Sequence, residues 1–107
     1  QQSSAASDVY KRQGYDIAAR IGLATNLNPH MHPHGTWGVI GAASAIGVLN
    51  RLDRQKIIEL INISSNFSLT TSRKTMLEGG TVRNSYTGIS SQMANLAYQF
   101  LQAGFSG

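Results

Sequence analysis

Hydrophobic positions along the chain recur at helical spacing and predict four helices. Apolar residues three and four apart form one face over residues 15–27, and a second helix is predicted over residues 37–50. Residues 54–67 are heavily apolar on one side. The clearest pattern covers residues 85–103, where apolar positions follow at steps of four, three, one, three and one. No alternating strand pattern competes, so we predict an all-α fold.

Capping signals bound these helices. Pro29 follows the first helix and stops it. Thr36 is predicted as the N-cap of the second helix and Asp53 as the N-cap of the third. Gly104 follows the last helix at the position where a C′ glycine ends a helix.

The second predicted helix is lined with small residues. It includes Gly38, Gly41, Ala42 and Ala45, although glycine destabilises a helix interior by about 1 kcal/mol relative to alanine. Glycines in this position indicate that another helix backbone packs closely against it. We therefore expect a buried central helix, too short for the roughly 20 residues that span a membrane.

Residues 1–13 show neither a helical nor a strand period. They resemble the translated adaptor scar that precedes some environmental gene fragments, and a natural disordered tail is the alternative. We treat residues 1–13 as an artefactual or disordered tail and residues 14–107 as the domain.

The composition sets limits on the kind of protein. A chain of 107 residues supports one small domain. Its 13% of charged residues is well below the usual 25% or so, and residues 84–107 carry no charge after Arg83. This shortage predicts that the last helix lies against other protein, as in a segment cut from a larger body. The absence of cysteine excludes disulfides and thiolate zinc sites and suits a reducing compartment, so we expect a cytoplasmic protein.

The net charge of +4 raises the question of nucleic acid. The basic residues are dispersed along the sequence, and no aromatic residues alternate with them to stack on bases. Nucleic-acid binding is therefore not predicted. Membrane insertion is not predicted either, because no run of about 20 apolar residues occurs.

Three histidines at alternate positions form the first candidate site. On an extended strand, His30, His32 and His34 would face the same way and could hold a transition metal. Surface or capping histidines are a second interpretation. A third is an acid–base histidine just before a helix, whose positive end lowers the pKa of an imidazole.

A glycine-containing segment over residues 69–83 forms the second candidate site. Gly79 and Gly80 would offer free backbone N–H groups before a helix, and Arg83 could hold a carboxylate through paired hydrogen bonds. The alternative is a solvated loop with an ordinary helix cap. The order of residues is not that of a P-loop, so we predict carboxylate rather than nucleotide binding.

Three motifs together resemble the MmgE/PrpD family. They are HPHGTWG at residues 32–38, MLEGGTVRNSYTG at residues 76–88 and AGFSG at residues 103–107. The family includes 2-methylcitrate dehydratase, cis-aconitate decarboxylase and iminodisuccinate epimerase. The resemblance covers residues 14–107. It implies an internal slice of the family's large helical domain, within a longer chain that also has a smaller α+β domain and forms a homodimer.

The resemblance further implies cofactor-independent proton transfer on a small polycarboxylate. A family histidine that acts as an acid or base falls on His32. A family lysine falls on Arg83 and a family histidine on Tyr86. Because arginine hardly ever releases its proton, Arg83 is expected to bind a substrate carboxylate, with Tyr86 as a proton or hydrogen-bond donor. Lys74 is a secondary binding candidate.

Two functional hypotheses therefore stand side by side. One is an MmgE/PrpD-type lyase or isomerase that needs the rest of its chain and is inactive as residues 1–107 alone. The other is a non-catalytic helical module that binds a metal through the three histidines.

Overall fold

A computed structural model describes residues 4–107 and the side-chain environments from residue 8 onward. This part of the chain is predominantly helical, which confirms the predicted all-α class. The helices are α1 Ser4–Ala24, α2 Pro33–Leu49, α3 Arg54–Ser65, α4 Arg73–Leu77 and α5 Tyr86–Gln102, with a 3₁₀ helix at Thr81–Ser85. Two-residue strands, β1 Met31–His32 and β2 Thr71–Ser72, form an antiparallel pair.

Helix α2 is the centre of the fold, as predicted. It packs against α1, α3 and α5, and it has no charged residue. Its Val39 and Ala43 are fully buried, as are Leu60 of α3 and Ala94 and Ala97 of α5. Because α2 is apolar on several sides, it must be covered by the other helices rather than by water.

The close helix approach predicted from the glycines occurs between α1 and α2. A Cβ atom added at Gly41 would lie 2.7 Å from Cβ of Ala18 and 2.8 Å from the carbonyl oxygen of Gly14. A Cβ added at Gly14 would lie 2.7 Å from the carbonyl oxygen of Gly41. The two backbones therefore touch at a contact that only glycine permits on both sides.

Helix α1 begins much earlier than predicted. It starts at Ser4 rather than near residue 15, so the described part of residues 1–13 is helical and not a structureless tail. Lysine, arginine and glutamine in this segment are good helix formers, and Asp8 to Gln13 are mostly exposed. A helix without a buried face has no apolar period to detect. The origin of the segment as an adaptor scar stays a prediction, and residues 1–3 lie outside the described residues.

The predicted start of α2 is also wrong. The helix begins at Pro33, and His32, not Thr36, is its N-cap. Proline suits the first helical position because its missing N–H has no helical partner there. The Thr36 hydroxyl instead donates a 3.0 Å hydrogen bond to the carbonyl oxygen of Leu69.

The other two predicted caps are confirmed. A carboxylate oxygen of Asp53 accepts a 2.9 Å hydrogen bond from the backbone N–H of Lys56 at the start of α3. Gly104 has a φ of 90° after α5, and the N–H of Phe105 donates back to the carbonyl oxygen of Phe100. This is the expected glycine-dependent end of a helix.

The segment over residues 69–83, which shows no clear hydrophobic period in the sequence, has short regular elements. Strand β2 pairs with β1 so that His32 lies opposite Thr71 and Met31 opposite Ser72. Ser72 then caps α4 by accepting from the N–H of Thr75. Elements of two to five residues are too short to give a detectable hydrophobic period.

The polar side of α5 is only partly covered within this chain. Ser90 is buried, whereas Asn95, Gln99 and Gln102 are exposed. Whether another protein surface covers them stays a prediction. Among the described residues, no helix is both long and apolar enough to cross a membrane.

Gly→Ala substitutions at a packed glycine and at an open one should have opposite effects on the free energy of unfolding. Gly41→Ala places a methyl group against the Gly14 carbonyl and should lower the free energy of unfolding by about 1–3 kcal/mol. Gly88→Ala, in α5, meets nothing within 4 Å and should raise it by up to about 1 kcal/mol. Urea unfolding followed by circular dichroism measures both. Equal or greater stability of Gly41→Ala would contradict the packing.

Candidate functional site

His32 lies at the junction of β1 and α2 and is held from both sides. Its backbone carbonyl accepts a 2.8 Å hydrogen bond from the Thr71 hydroxyl. Its ring Nδ1 accepts a hydrogen bond from the backbone N–H of His34 at 3.3 Å, which caps α2. The residue is only 7% exposed. The ring therefore has a defined place in the fold rather than a free surface position.

Two aromatic rings surround the imidazole of His32. The His34 ring meets it edge-on with centroids 4.3 Å apart, and the Tyr86 ring lies 5.6 Å away. Tyr86 is buried at the start of α5, and its hydroxyl donates to the backbone carbonyl of Ser72 at 3.3 Å. The structure thus brings together the two residues predicted as catalytic, although they are 54 positions apart in the sequence.

The environment of His32 favours its neutral form. Burial lowers the pKa of its imidazole below the usual value, and Coulombic interactions with His34, Arg73 and Arg83 lower it further. In the described part of the chain, neither Arg73 nor Arg83 forms an ion pair. Their charges are therefore available to an incoming anion.

The predicted carboxylate-binding side chains lie near this cluster but on the surface. Arg83 is exposed in the 3₁₀ helix, and its charge acts on His32. Lys74 is exposed on α4 and lies 3.9 Å from the carboxylate of Glu78. An acidic neighbour competes with a substrate for a cation, so Arg83 is the better placed of the two.

The expectation of free N–H donors at Gly79 and Gly80 is wrong. The N–H of Gly79 donates to the carbonyl oxygen of Met76, and that of Gly80 donates to the carbonyl oxygen of Thr75. Both groups close the turn after α4, where Gly79 has a φ of 81°. The two glycines shape the approach to Arg83, but their N–H groups already have partners.

The three histidines do not form the alternate row required by the metal hypothesis. The strand ends at His32 and α2 begins at Pro33, so the two-residue period that would align the rings is lost. Among residues 4–107, no group of three potential ligands is placed to hold a metal ion. The metal-binding alternative therefore lacks its expected geometry.

A cleft of about 460 Å³ opens beside this cluster, between the first turns of α2 and α5 and the middle of α1. His34, Trp37, Thr87 and Ser91 are among its lining residues, together with Tyr15 of α1. His32, Tyr86, Arg83 and Lys74 do not line it. Its volume lies within the range of small-molecule sites, roughly 300–1,000 Å³.

The sequence indicates His34 only as part of the histidine row and Arg73 only as part of the second candidate segment. Arg73 begins α4, directly after β2, and its N–H donates to the carbonyl oxygen of His30. No sequence period indicates this long-range pairing. Pro33 did carry a usable signal, because proline at a first helical position makes the preceding histidine the cap and turns His34 onto the helix.

The neutral state of His32 predicts a pH-dependent stability. Because its folded pKa is lowered, its contribution is present above the unfolded pKa of about 6.5 and is lost as pH falls from there toward the folded pKa. His32→Asn keeps a good N-cap but does not titrate there. Between about pH 7 and 5, the free energy of unfolding should fall less in His32→Asn than in the parent chain. In His30→Asn it should fall as much as in the parent chain. Identical curves for all three proteins would contradict the assignment.

Comparison with known proteins identifies the domain. Searches of curated proteins and of solved structures return no match to this chain. The family model described as the MmgE/PrpD N-terminal domain matches residues 12–107. That range contains all of the site residues and leaves most of the first thirteen residues outside it. The chain therefore belongs to the MmgE/PrpD family, as the three motifs indicated.

Proposed function

We propose that this domain is part of a cofactor-independent lyase or isomerase that moves a proton on a small polycarboxylate, as 2-methylcitrate dehydratase does. The observation that carries the proposal is the buried His32 beside Tyr86, near two arginines that form no ion pair with any described residue. Imidazole and phenol groups are suited to proton transfer and hydrogen bonding. Unpaired guanidinium groups are suited to carboxylates.

Membership of the MmgE/PrpD family supports the reaction class. At two positions of the site, this chain has a residue that differs from the usual residue of the family's dehydratases and decarboxylases. Arg83 stands where the dehydratases and decarboxylases of the family have lysine, and Tyr86 stands where they have histidine. We propose that Arg83 holds a carboxylate, with Lys74 as a weaker second contact, and that Tyr86 donates a hydrogen bond or proton at the reacting end.

The exposure of the site supports the proposal that protein outside this chain must cover it before the reaction can occur. Arg83 and His34 are exposed in this chain, whereas proton abstraction next to a carboxylate benefits from exclusion of water. We propose that residues 14–107 act within a longer cytoplasmic chain that forms a homodimer. On this proposal, the 107-residue chain alone is inactive.

The first test compares turnover by the 107-residue chain and by the longer reading frame that contains it. Each purified protein is incubated with 2-methylcitrate, cis-aconitate or iminodisuccinate, and products are separated by chromatography. We expect turnover of one of these compounds by the longer chain only. Turnover by the 107-residue chain would contradict the need for further protein, and an inactive longer chain would contradict the proposed reaction.

Substitution of Arg83 in the active longer chain tests carboxylate binding. Loss of a charged hydrogen bond costs about 1.5–3 kcal/mol, so Arg83→Gln should lower kcat/KM by roughly 10–100-fold. Arg83→Lys should lose less because it keeps the charge. Arg54→Gln, at an exposed position in the first turn of α3, is the matched control and should leave kcat/KM unchanged. Equal values for Arg83→Gln and Arg54→Gln would remove Arg83 from the site.

A further inference from the structure

We infer that His34, rather than His32, carries the proton in the proposed reaction, and that His32 assists as a neutral hydrogen-bond donor. This inference rests on the proposed function and divides its chemistry between two imidazoles. The two rings are in edge contact, but their nitrogen atoms have different surroundings.

The cap of α2 fixes the tautomer of His32. Its Nδ1 accepts a hydrogen bond from the N–H of His34, and accepting requires a lone pair on that nitrogen. In the neutral ring, the single proton must then be on Nε2. Neither nitrogen has a free lone pair, so His32 cannot take a substrate proton without breaking the cap. It can, however, donate a hydrogen bond from Nε2.

The groups around His32 also oppose a charged ring. The titratable and charged groups that act on it are His34 on α2, Arg73 on α4 and Arg83 on the 3₁₀ helix, with the Tyr86 phenol of α5 beside it. Among the described residues, no carboxylate contributes to the shift. A neutral imidazole held in this way can polarise a substrate oxygen through its N–H.

His34 has the properties that His32 lacks. Its ring is exposed, and in the described part of the chain neither ring nitrogen makes a hydrogen bond. Its backbone makes two hydrogen bonds: its N–H caps the helix, and its carbonyl oxygen accepts from the buried Ser90 hydroxyl at 2.8 Å. The backbone is therefore fixed, and His34 is among the residues that line the 460 Å³ cleft. An exposed imidazole beside a ligand-sized cleft can reach a substrate proton, which a general base must do.

The proposed step is a proton abstraction from the carbon next to a carboxylate. A nitrogen of neutral His34 takes the proton from the carbon next to a substrate carboxylate. The C–H electron pair moves onto that carboxylate to give an enediolate. His32 and Arg83 lie outside the cleft, so the carboxylate must extend from the cleft past His34 toward the His32 ring, 4.3 Å away. There the Nε2–H of His32 and the Arg83 guanidinium stabilise its negative oxygens. The enediolate electrons then form a C=C bond while the His34 imidazolium gives the proton to the hydroxyl on the next carbon, which departs as water.

The test uses the longer chain with whichever family substrate it turns over. General acid–base catalysis contributes about 10²–10⁴-fold, so His34→Ala should lower kcat by that factor. Added imidazole should restore part of the rate, because the position is exposed. His32→Gln keeps an amide donor and should lose less rate. His30→Gln is the matched control at an exposed histidine and should keep the parent rate.

Each outcome decides between the two histidines. A large loss in His34→Ala that imidazole rescues supports the inference. A His34→Ala variant that keeps its rate, that is not rescued, or that loses less than His32→Gln overturns the inference while the proposed function stands. Absence of turnover by the parent protein overturns both together.

Discussion

The hydrogen bond from the N–H of His34 to Nδ1 of His32 is the interaction on which the site depends. It satisfies an N–H at the start of α2 that has no helical partner. It also fixes the imidazole against Tyr86 and uses the lone pair that would otherwise accept a proton. The same bond therefore begins the central helix and determines the chemistry open to His32.

Close packing around α2 holds this cap in position. Contact of α1 with Gly41 leaves no space for a Cβ atom, and a Cβ added at Gly35 would lie 2.6 Å from Cγ2 of Thr71. Thr71 can therefore reach the His32 carbonyl only because residue 35 is glycine. The N–H of Leu69 donates to the Gly35 carbonyl at 2.7 Å in the same region. The glycines of α2 thus serve both its packing and the position of β2 beside the histidine.

The sequence was sufficient to predict the helical class, the central helix and the caps at Asp53 and Gly104, because each depends on local spacing or on one capping residue. The start of α1 was missed because helix propensity there acts without a buried face. The β1–β2 pair was missed because two-residue strands have no period. The family motifs indicated His32, Arg83 and Tyr86. The engagement of the Gly79 and Gly80 N–H groups depends on turn geometry that spacing does not reveal.

The tautomer of His32 is the most direct test of this account. Long-range ¹H–¹⁵N correlation spectra of the ¹⁵N-labelled chain at pH 7, with His32→Asn used to assign the signals, distinguish a protonated from an unprotonated ring nitrogen. We expect a neutral His32 ring with its proton on Nε2 and an unprotonated Nδ1. A ring protonated on Nδ1, either as the other tautomer or as imidazolium, would contradict it.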